Sequence, residues 1–67
     1  MNAKETLERI RLAFECNTNI KLAEKLEVSY NTLNTWLKNN RIPFEIIEKT
    51  AEEKQLSYDY LLAGKTH

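Results

Sequence analysis

Three features of the sequence predict an all-α fold, a compact five-helix bundle. Apolar residues recur three and four positions apart along most of the chain, which is the period of an amphipathic helix. Residues that favour helix N-caps stand just before these stretches. The 67 residues include one glycine and one proline, so the chain has few of the turn residues that a sheet needs. A chain of this length is expected to form a single domain, predicted over residues 1–67.

The first helix is predicted near residues 3–15. Asn2 followed by Glu5 resembles a capping box, with the asparagine in the cap position. Its charged residues are expected mostly to face water. Its buried stripe is predicted to be Leu7, Ile10 and Phe14.

The second and third helices are predicted near residues 19–26 and 30–38. Thr18 and Ser29 are suitable N-caps for them, and Val28 can fill the angle between the two helices. Two short amphipathic helices joined by about one turn of chain are typical of a helix-turn-helix, which offers its second helix to the major groove of DNA. The apolar stripes are predicted to be Leu22, Ala23 and Leu26, and then Leu33, Trp36 and Leu37.

The fourth helix is predicted near residues 43–54 and the fifth near residues 58–63. Pro43 suits the first turn of a helix, while Ser57 and Gly64 suit the start and the end of the last helix. A frayed tail is expected at Lys65, Thr66 and His67. The buried stripe of the fourth helix is predicted to be Phe44, Ile47 and Ala51, widened by Ile46 and Thr50.

Charge is balanced over the whole chain but not along it. Ten basic and ten acidic residues cancel. Residues 18–42 contain four basic and two acidic residues, whereas residues 43–67 contain three basic and five acidic ones. The positive excess coincides with the predicted helix-turn-helix. This distribution gives weak support to DNA binding and argues against strong non-specific affinity.

Cysteine usage and hydropathy indicate the compartment. The single cysteine, Cys16, cannot form an internal disulfide, so a reducing cytosol is the expected setting. No apolar run has the length of a membrane span, and no signal-peptide core follows the first residues. The sequence therefore predicts a cytoplasmic protein without membrane association, nucleoid-associated when it is bound to DNA.

The outward face of the third predicted helix carries side chains suited to reading DNA bases. A solvated helix face usually carries Glu and Lys, whereas this one has two asparagines, a threonine and a tyrosine, which are poor helix formers. Asparagine can bind adenine bidentately, threonine can contact a thymine methyl group or a phosphate, and lysine can reach guanine or a phosphate. The residues predicted to read bases are Tyr30, Asn31, Asn34, Thr35 and Lys38.

Contacts to the DNA backbone are predicted at two places beside this helix. The start of the second helix combines polar side chains with unpaired backbone N–H groups, which favour an anion. The polar loop after the third helix is a second candidate clamp. The residues predicted to contact phosphates are Thr18, Asn19, Lys21, Ser29, Asn39, Asn40 and Arg41.

The sequence offers no catalytic or metal-binding constellation. Its one histidine is His67 and its one cysteine is Cys16, so neither a nucleophile–base pair nor a zinc site can be assembled. We therefore expect no enzyme activity, metal, cofactor or small-molecule substrate. The alternative to DNA binding is a protein-interaction module that docks a partner protein with the same frame. Neutral net charge and an exposed Tyr30 slightly favour that alternative.

Three landmarks follow one another in a specific order and spacing: Asn34-Thr35-Trp36-Leu37-Lys38, then Arg41-Ile42-Pro43-Phe44, then Tyr60-Leu61-Leu62-Ala63-Gly64. Together they resemble the helix-turn-helix domain of phage CI-type repressors, a lambda-repressor-like domain, over roughly residues 4–64. The chain departs from many helix-turn-helix proteins at Glu27, where those proteins have a glycine in the turn.

The resemblance implies a function and a partner. It implies sequence-specific binding of double-stranded operator DNA by a phage or prophage transcriptional repressor, with the recognition helix 30–38 in the major groove. It also implies a homodimer, because chains of this family often continue into a C-terminal domain for dimerisation or self-cleavage. Two interpretations stay open, an N-terminal domain of a longer repressor and a minimal regulator.

Overall fold

The computed structural model describes residues 2–65. This part of the chain contains five helices joined by short loops, and no strand. They are α1 (Ala3–Ala13), α2 (Asn19–Leu26), α3 (Tyr30–Lys38), α4 (Phe44–Lys54) and α5 (Tyr58–Ala63). The Cα radius of gyration is 10.8 Å, and a compact chain of this length is expected to have about 11 Å. The prediction of a compact five-helix bundle is confirmed. Of the tail predicted at Lys65, Thr66 and His67, Lys65 is exposed after the end of α5, and the other two residues lie outside the described residues.

The first helix is the central element of the core. α1 packs against α3, α4 and α5, while α2 packs chiefly against α3. Half-buried side chains of the helix-turn-helix, Val28, Trp36 and Leu37, cover one side of this core. The largest apolar side chains with less than 2% exposure come from all five helices: Ile10, Leu22, Leu33, Ile47 and Leu61.

The predicted N-caps are confirmed by their hydrogen bonds. In four helices the cap side chain accepts the backbone N–H of the residue three positions later, at 3.0–3.2 Å. Each such cap stabilises its helix by about 0.5–2 kcal/mol. The four caps are Asn2, Thr18, Ser29 and Ser57.

A left-handed residue follows the end of every helix, and four of the five are not glycine. Glu15, Glu27, Asn40 and Gln55 have φ between 53° and 58°, and Gly64 has φ 71°. After each of the four non-glycine residues, the next backbone N–H donates to the carbonyl five residues earlier at 2.9–3.0 Å. This is the Schellman pattern of helix ends. In the helix-turn-helix, a glutamate therefore takes the conformation for which glycine is usually used.

Two helix boundaries differ from the prediction. α1 ends at Ala13 rather than near residue 15, because Glu15 already has the left-handed conformation that turns the chain. Pro43 has ψ 138°, an extended value, so it precedes α4 as its N-cap residue instead of forming the first helical turn.

The prediction that Phe44 is buried is wrong. Its side chain is 57% exposed, because the residue is the first of α4 and its ring lies outside the core. The ring packs instead on Tyr58, with 5.5 Å between the centroids and 37° between the planes. The buried face of α4 is formed by Ile47, Thr50 and Ala51.

Two buried threonines differ in whether their hydroxyl groups are hydrogen-bonded. The Thr50 hydroxyl donates to the carbonyl of Ile46 at 2.8 Å, whereas the Thr6 hydroxyl has no hydrogen-bond partner within the described chain. Both side chains have 0% exposure. An unsatisfied buried polar group costs about 1–3 kcal/mol.

Replacing Thr6 by valine is therefore expected to raise the free energy of unfolding by about 1 kcal/mol, since it removes the unsatisfied hydroxyl and keeps the shape. Urea denaturation followed by circular dichroism measures the change. Thr50→Val is the matched control, because it removes a hydroxyl that makes a hydrogen bond. If Thr50→Val stabilises as much as Thr6→Val, the hydroxyl of Thr6 is not the source of the cost.

Candidate nucleic-acid interface

The helix-turn-helix is held in shape by short contacts within the turn. Glu27 ends α2 in the left-handed conformation, with φ 58° and ψ 40°. The next N–H, of Val28, donates to the Ala23 carbonyl at 3.0 Å, and the Val28 side chain packs against the core. Ser29 then starts α3 by accepting the Thr32 N–H at 3.0 Å. Three consecutive residues thus fix the direction of α3 relative to α2.

The five residues predicted to read bases lie together on the outer face of α3. At 100° per residue they span an arc of about 140°. The opposite face carries Leu33, which is fully buried, with Trp36 and Leu37 half-buried beside it. All five predicted readers are exposed: Tyr30, Asn31, Asn34, Thr35 and Lys38.

One of these five side chains is already engaged within the helix. The Thr35 hydroxyl donates to the carbonyl of Asn31 at 2.9 Å. Its proton is therefore not available to a phosphate or to a base acceptor. The methyl group remains, and it can make apolar contact with a thymine methyl group.

The start of α2 places three predicted phosphate contacts on one turn of chain. Thr18 accepts the Lys21 N–H at 3.2 Å as the N-cap, so its hydroxyl proton can still be donated outward. Lys21 is exposed and Asn19 is half-buried. Across the turn, Ser29 is exposed, but its hydroxyl is shared with that of Thr32 at 2.8 Å.

The loop after α3 is tied to the start of α1. Asn40 is left-handed and its Oδ1 accepts the Ala3 N–H at 2.8 Å. The Asn40 side chain thus has a structural role that the sequence did not indicate, and its amide N–H₂ group is the part that could donate to a phosphate. Asn39 and Arg41 are exposed beside it.

The largest group of acidic residues on one helix lies on α4, although Glu24 on α2 and Glu27 in the turn are also exposed. α4 carries exposed glutamates and packs against α1 and α5, whereas α3 packs against α1 and α2. Negative charge beside phosphates is unfavourable, so the side formed by α2, α3 and the following loop, where four basic residues outnumber two glutamates, is the more favourable one for a polyanion. The exposed glutamates of α4 are Glu45, Glu48, Glu52 and Glu53.

The prediction that the charged side chains of the first helix mostly face water holds for Lys4, Glu8 and Glu15, which are exposed, and its exceptions are two half-buried arginines. Arg9 donates to the carbonyl of Leu61 at 3.2 Å. Arg11 donates to the carbonyls of Cys16 and Asn17 at 3.4 and 3.2 Å, just before the cap of α2. The partial burial of Arg11 could have been predicted from its position four residues after the buried Leu7, at the edge of the apolar stripe.

Between residues 2 and 65, no group of three or more His, Cys, Asp or Glu side chains is arranged to hold a metal ion. No helix in that part of the chain has the length and hydropathy needed to cross a membrane.

Comparison with known protein families agrees with this geometry. The family model of the bacteriophage CI repressor helix-turn-helix domain matches residues 5–67, which include the whole helix-turn-helix and the two helices after it. No curated protein and no solved structure gave a significant match. A family match over nearly the full chain decides the assignment. The chain belongs to the bacteriophage CI repressor helix-turn-helix domain family, whose members are DNA-binding repressor domains.

Proposed function

We propose that this chain binds operator DNA sequence-specifically and represses transcription by occupying a promoter. The observation that carries the proposal is the outer face of α3, where asparagine, threonine and lysine side chains stand exposed on the recognition helix of a repressor family. In this proposal α3 enters the major groove and Tyr30, Asn31, Asn34, Thr35 and Lys38 contact bases.

The DNA backbone is held on both sides of α3 in this proposal. Thr18, Asn19, Lys21 and Ser29 contact phosphates from the side of α2. Asn39, Asn40 and Arg41 contact them from the loop after α3. Such contacts fix the orientation of the recognition helix but carry no sequence information.

The proposal includes a homodimer that acts in the cytoplasm as a non-catalytic regulator, with residues 1–67 as one DNA-binding domain. A single α3 reads one half-site, so an isolated domain binds weakly. Two linked copies gain affinity through effective concentration. Dimerisation through a C-terminal domain, as the family often has, would supply that link.

Titration with random-sequence duplex DNA at several salt concentrations tests the proposal. Fluorescence of Trp36 and anisotropy of labelled DNA are the readouts. Lys21 and Arg41 are the two cations among the proposed phosphate contacts, and at −0.9 per neutralised phosphate they predict a slope of log K against log salt of about −1.8. Lys49→Ala, on α4 away from this surface, is expected to leave the slope unchanged.

The alternative is a protein-docking module, and the observation that favours it is Tyr30, whose side chain is 46% exposed at the start of α3. A protein-docking helix would give no DNA isotherm at low salt, even when two copies of the chain are joined by a linker. That result would reject the operator-binding proposal. Salt-sensitive binding would instead justify selecting an operator from a random library.

A further inference from the structure

A groove lies beside the proposed DNA surface. Of the residues that line it, only Asn19 has so far been proposed to contact DNA. It has a volume of about 300 Å³ and lies where α1 meets the first residue of α2 and the end of α3. Its lining combines two leucines with two basic side chains, one acidic side chain and one asparagine. The lining residues are Lys4, Leu7, Glu8, Arg11, Asn19 and Leu37.

The groove lies between the two proposed backbone clamps. Asn19, on one wall, belongs to the clamp at the start of α2. On the other side, Ala3 donates to Oδ1 of Asn40, which belongs to the loop clamp, and Lys4 is the next residue. Leu37 directly precedes Lys38 of the recognition helix. A duplex whose backbone is held by both clamps would therefore lie close to this groove.

Arg11 organises one end of the groove. Its Nη1 donates to the carbonyls of Cys16 and Asn17 at 3.4 and 3.2 Å, and its Nη2 lies 3.8 Å from Oε1 of Glu8. These two carbonyls precede the cap of α2, and their partial negative charge would repel an anion there. The guanidinium neutralises them and fixes the direction in which α2 starts.

We propose that this groove binds one phosphate of the DNA backbone, with Lys4 as the direct contact and Arg11 as a positioning residue. The inference rests on the proposed function and extends its phosphate contacts to α1. Lys4 is exposed, so its ammonium group can reach the mouth of the groove. Lys4 and Arg11 together outweigh Glu8 by one positive charge, which suits a single anion.

The test compares salt slopes of the full chain and of matched single variants on random duplex DNA. Lys4→Ala is expected to make the slope less steep by about 0.9. When salt is raised from 50 to 200 mM, the affinity of the variant should therefore fall by a factor about 3.5 times smaller than that of the parent chain. Glu8→Gln is expected to tighten binding, because it removes the acid from the groove. Lys49→Ala removes the same charge on α4 and is expected to leave the slope unchanged.

Arg11 is tested separately, because a positioning residue should change affinity without changing the salt slope. Arg11→Met is expected to weaken binding several-fold at an unaltered slope, at a temperature where circular dichroism shows the variant to be folded. Arg11→Lys is expected to restore part of that loss. A slope reduced as much as in Lys4→Ala would show that Arg11 contacts the phosphate directly. Unchanged affinity would show that Arg11 does not affect binding. Either result would overturn its positioning role.

The outcomes separate this inference from the proposed function. If the parent chain binds DNA with salt dependence and Lys4→Ala behaves like Lys49→Ala, the groove does not bind phosphate and operator binding stands. If neither the parent chain nor its linked dimer binds DNA, both proposals are rejected. A flattened slope in Lys4→Ala together with tighter binding in Glu8→Gln supports the groove.

Discussion

Replacing Leu33 by alanine is expected to lower the free energy of unfolding by about 2–5 kcal/mol, the usual cost of deleting a fully buried leucine side chain. Leu33 has 0% exposure and is the only residue of α3 whose side chain is fully buried. A domain of this size has about 3–10 kcal/mol of stability in total. The variant is therefore expected to lose a large part of its stability and to unfold at a clearly lower urea concentration.

Leu12→Ala is the matched control for Leu33→Ala. Leu12 lies on α1 and is 63% exposed, so the same substitution is expected to change stability by no more than about 0.5 kcal/mol. Urea denaturation followed by circular dichroism and by Trp36 fluorescence measures both variants. Equal losses in the two variants would contradict the assignment of Leu33 as the residue that attaches α3 to the core.

Replacing Asn34 by alanine is expected to weaken binding to the selected operator by about 1–3 kcal/mol, or about 5- to 150-fold, and to relax the preference at one base pair. Alanine is a better helix former than asparagine, and the side chain of Asn34 is exposed. The substitution should therefore stabilise α3 slightly. Weaker binding by a more stable variant could not be attributed to unfolding.

Lys21→Ala provides the contrast for Asn34→Ala. It removes a proposed phosphate contact, so it is expected to weaken binding to all sequences alike and to flatten the salt slope by about 0.9. Anisotropy titrations on the operator, on single-base variants of it and on random duplex distinguish the two effects. Uniform loss on every sequence for both variants would show that α3 does not read the bases.

Local interactions explain why much of the fold could be predicted from the sequence. The caps at Thr18, Ser29 and Ser57 are hydrogen bonds over three residues, so the residue types alone indicate them. The outward face of α3 follows from the positions of Leu33 and its apolar neighbours on the same helix. These features depend on helical period and not on how the helices are arranged.

The features that the sequence did not indicate depend on the arrangement of distant segments. The hydrogen bond of Asn40 to Ala3 joins residues 37 positions apart. Phe44 has the spacing of a core residue, but the point at which the chain enters α4 leaves its ring outside. Arg11 reaches a turn whose path is set by the left-handed Glu15. Periodicity gives the face of a helix and does not reveal such tertiary partners.

The bonds that hold the loop after α3 have a consequence for the entropy of binding. Besides the bond from Ala3 to the Asn40 side chain, the N–H of Asn40 donates to Leu37 at 3.2 Å and that of Arg41 to Trp36 at 2.9 Å. Fixing the backbone of a free residue costs about 1–2 kcal/mol. The backbone of this loop is already ordered when the chain folds. In the proposed function, binding to DNA therefore has to order only the exposed side chains of the loop.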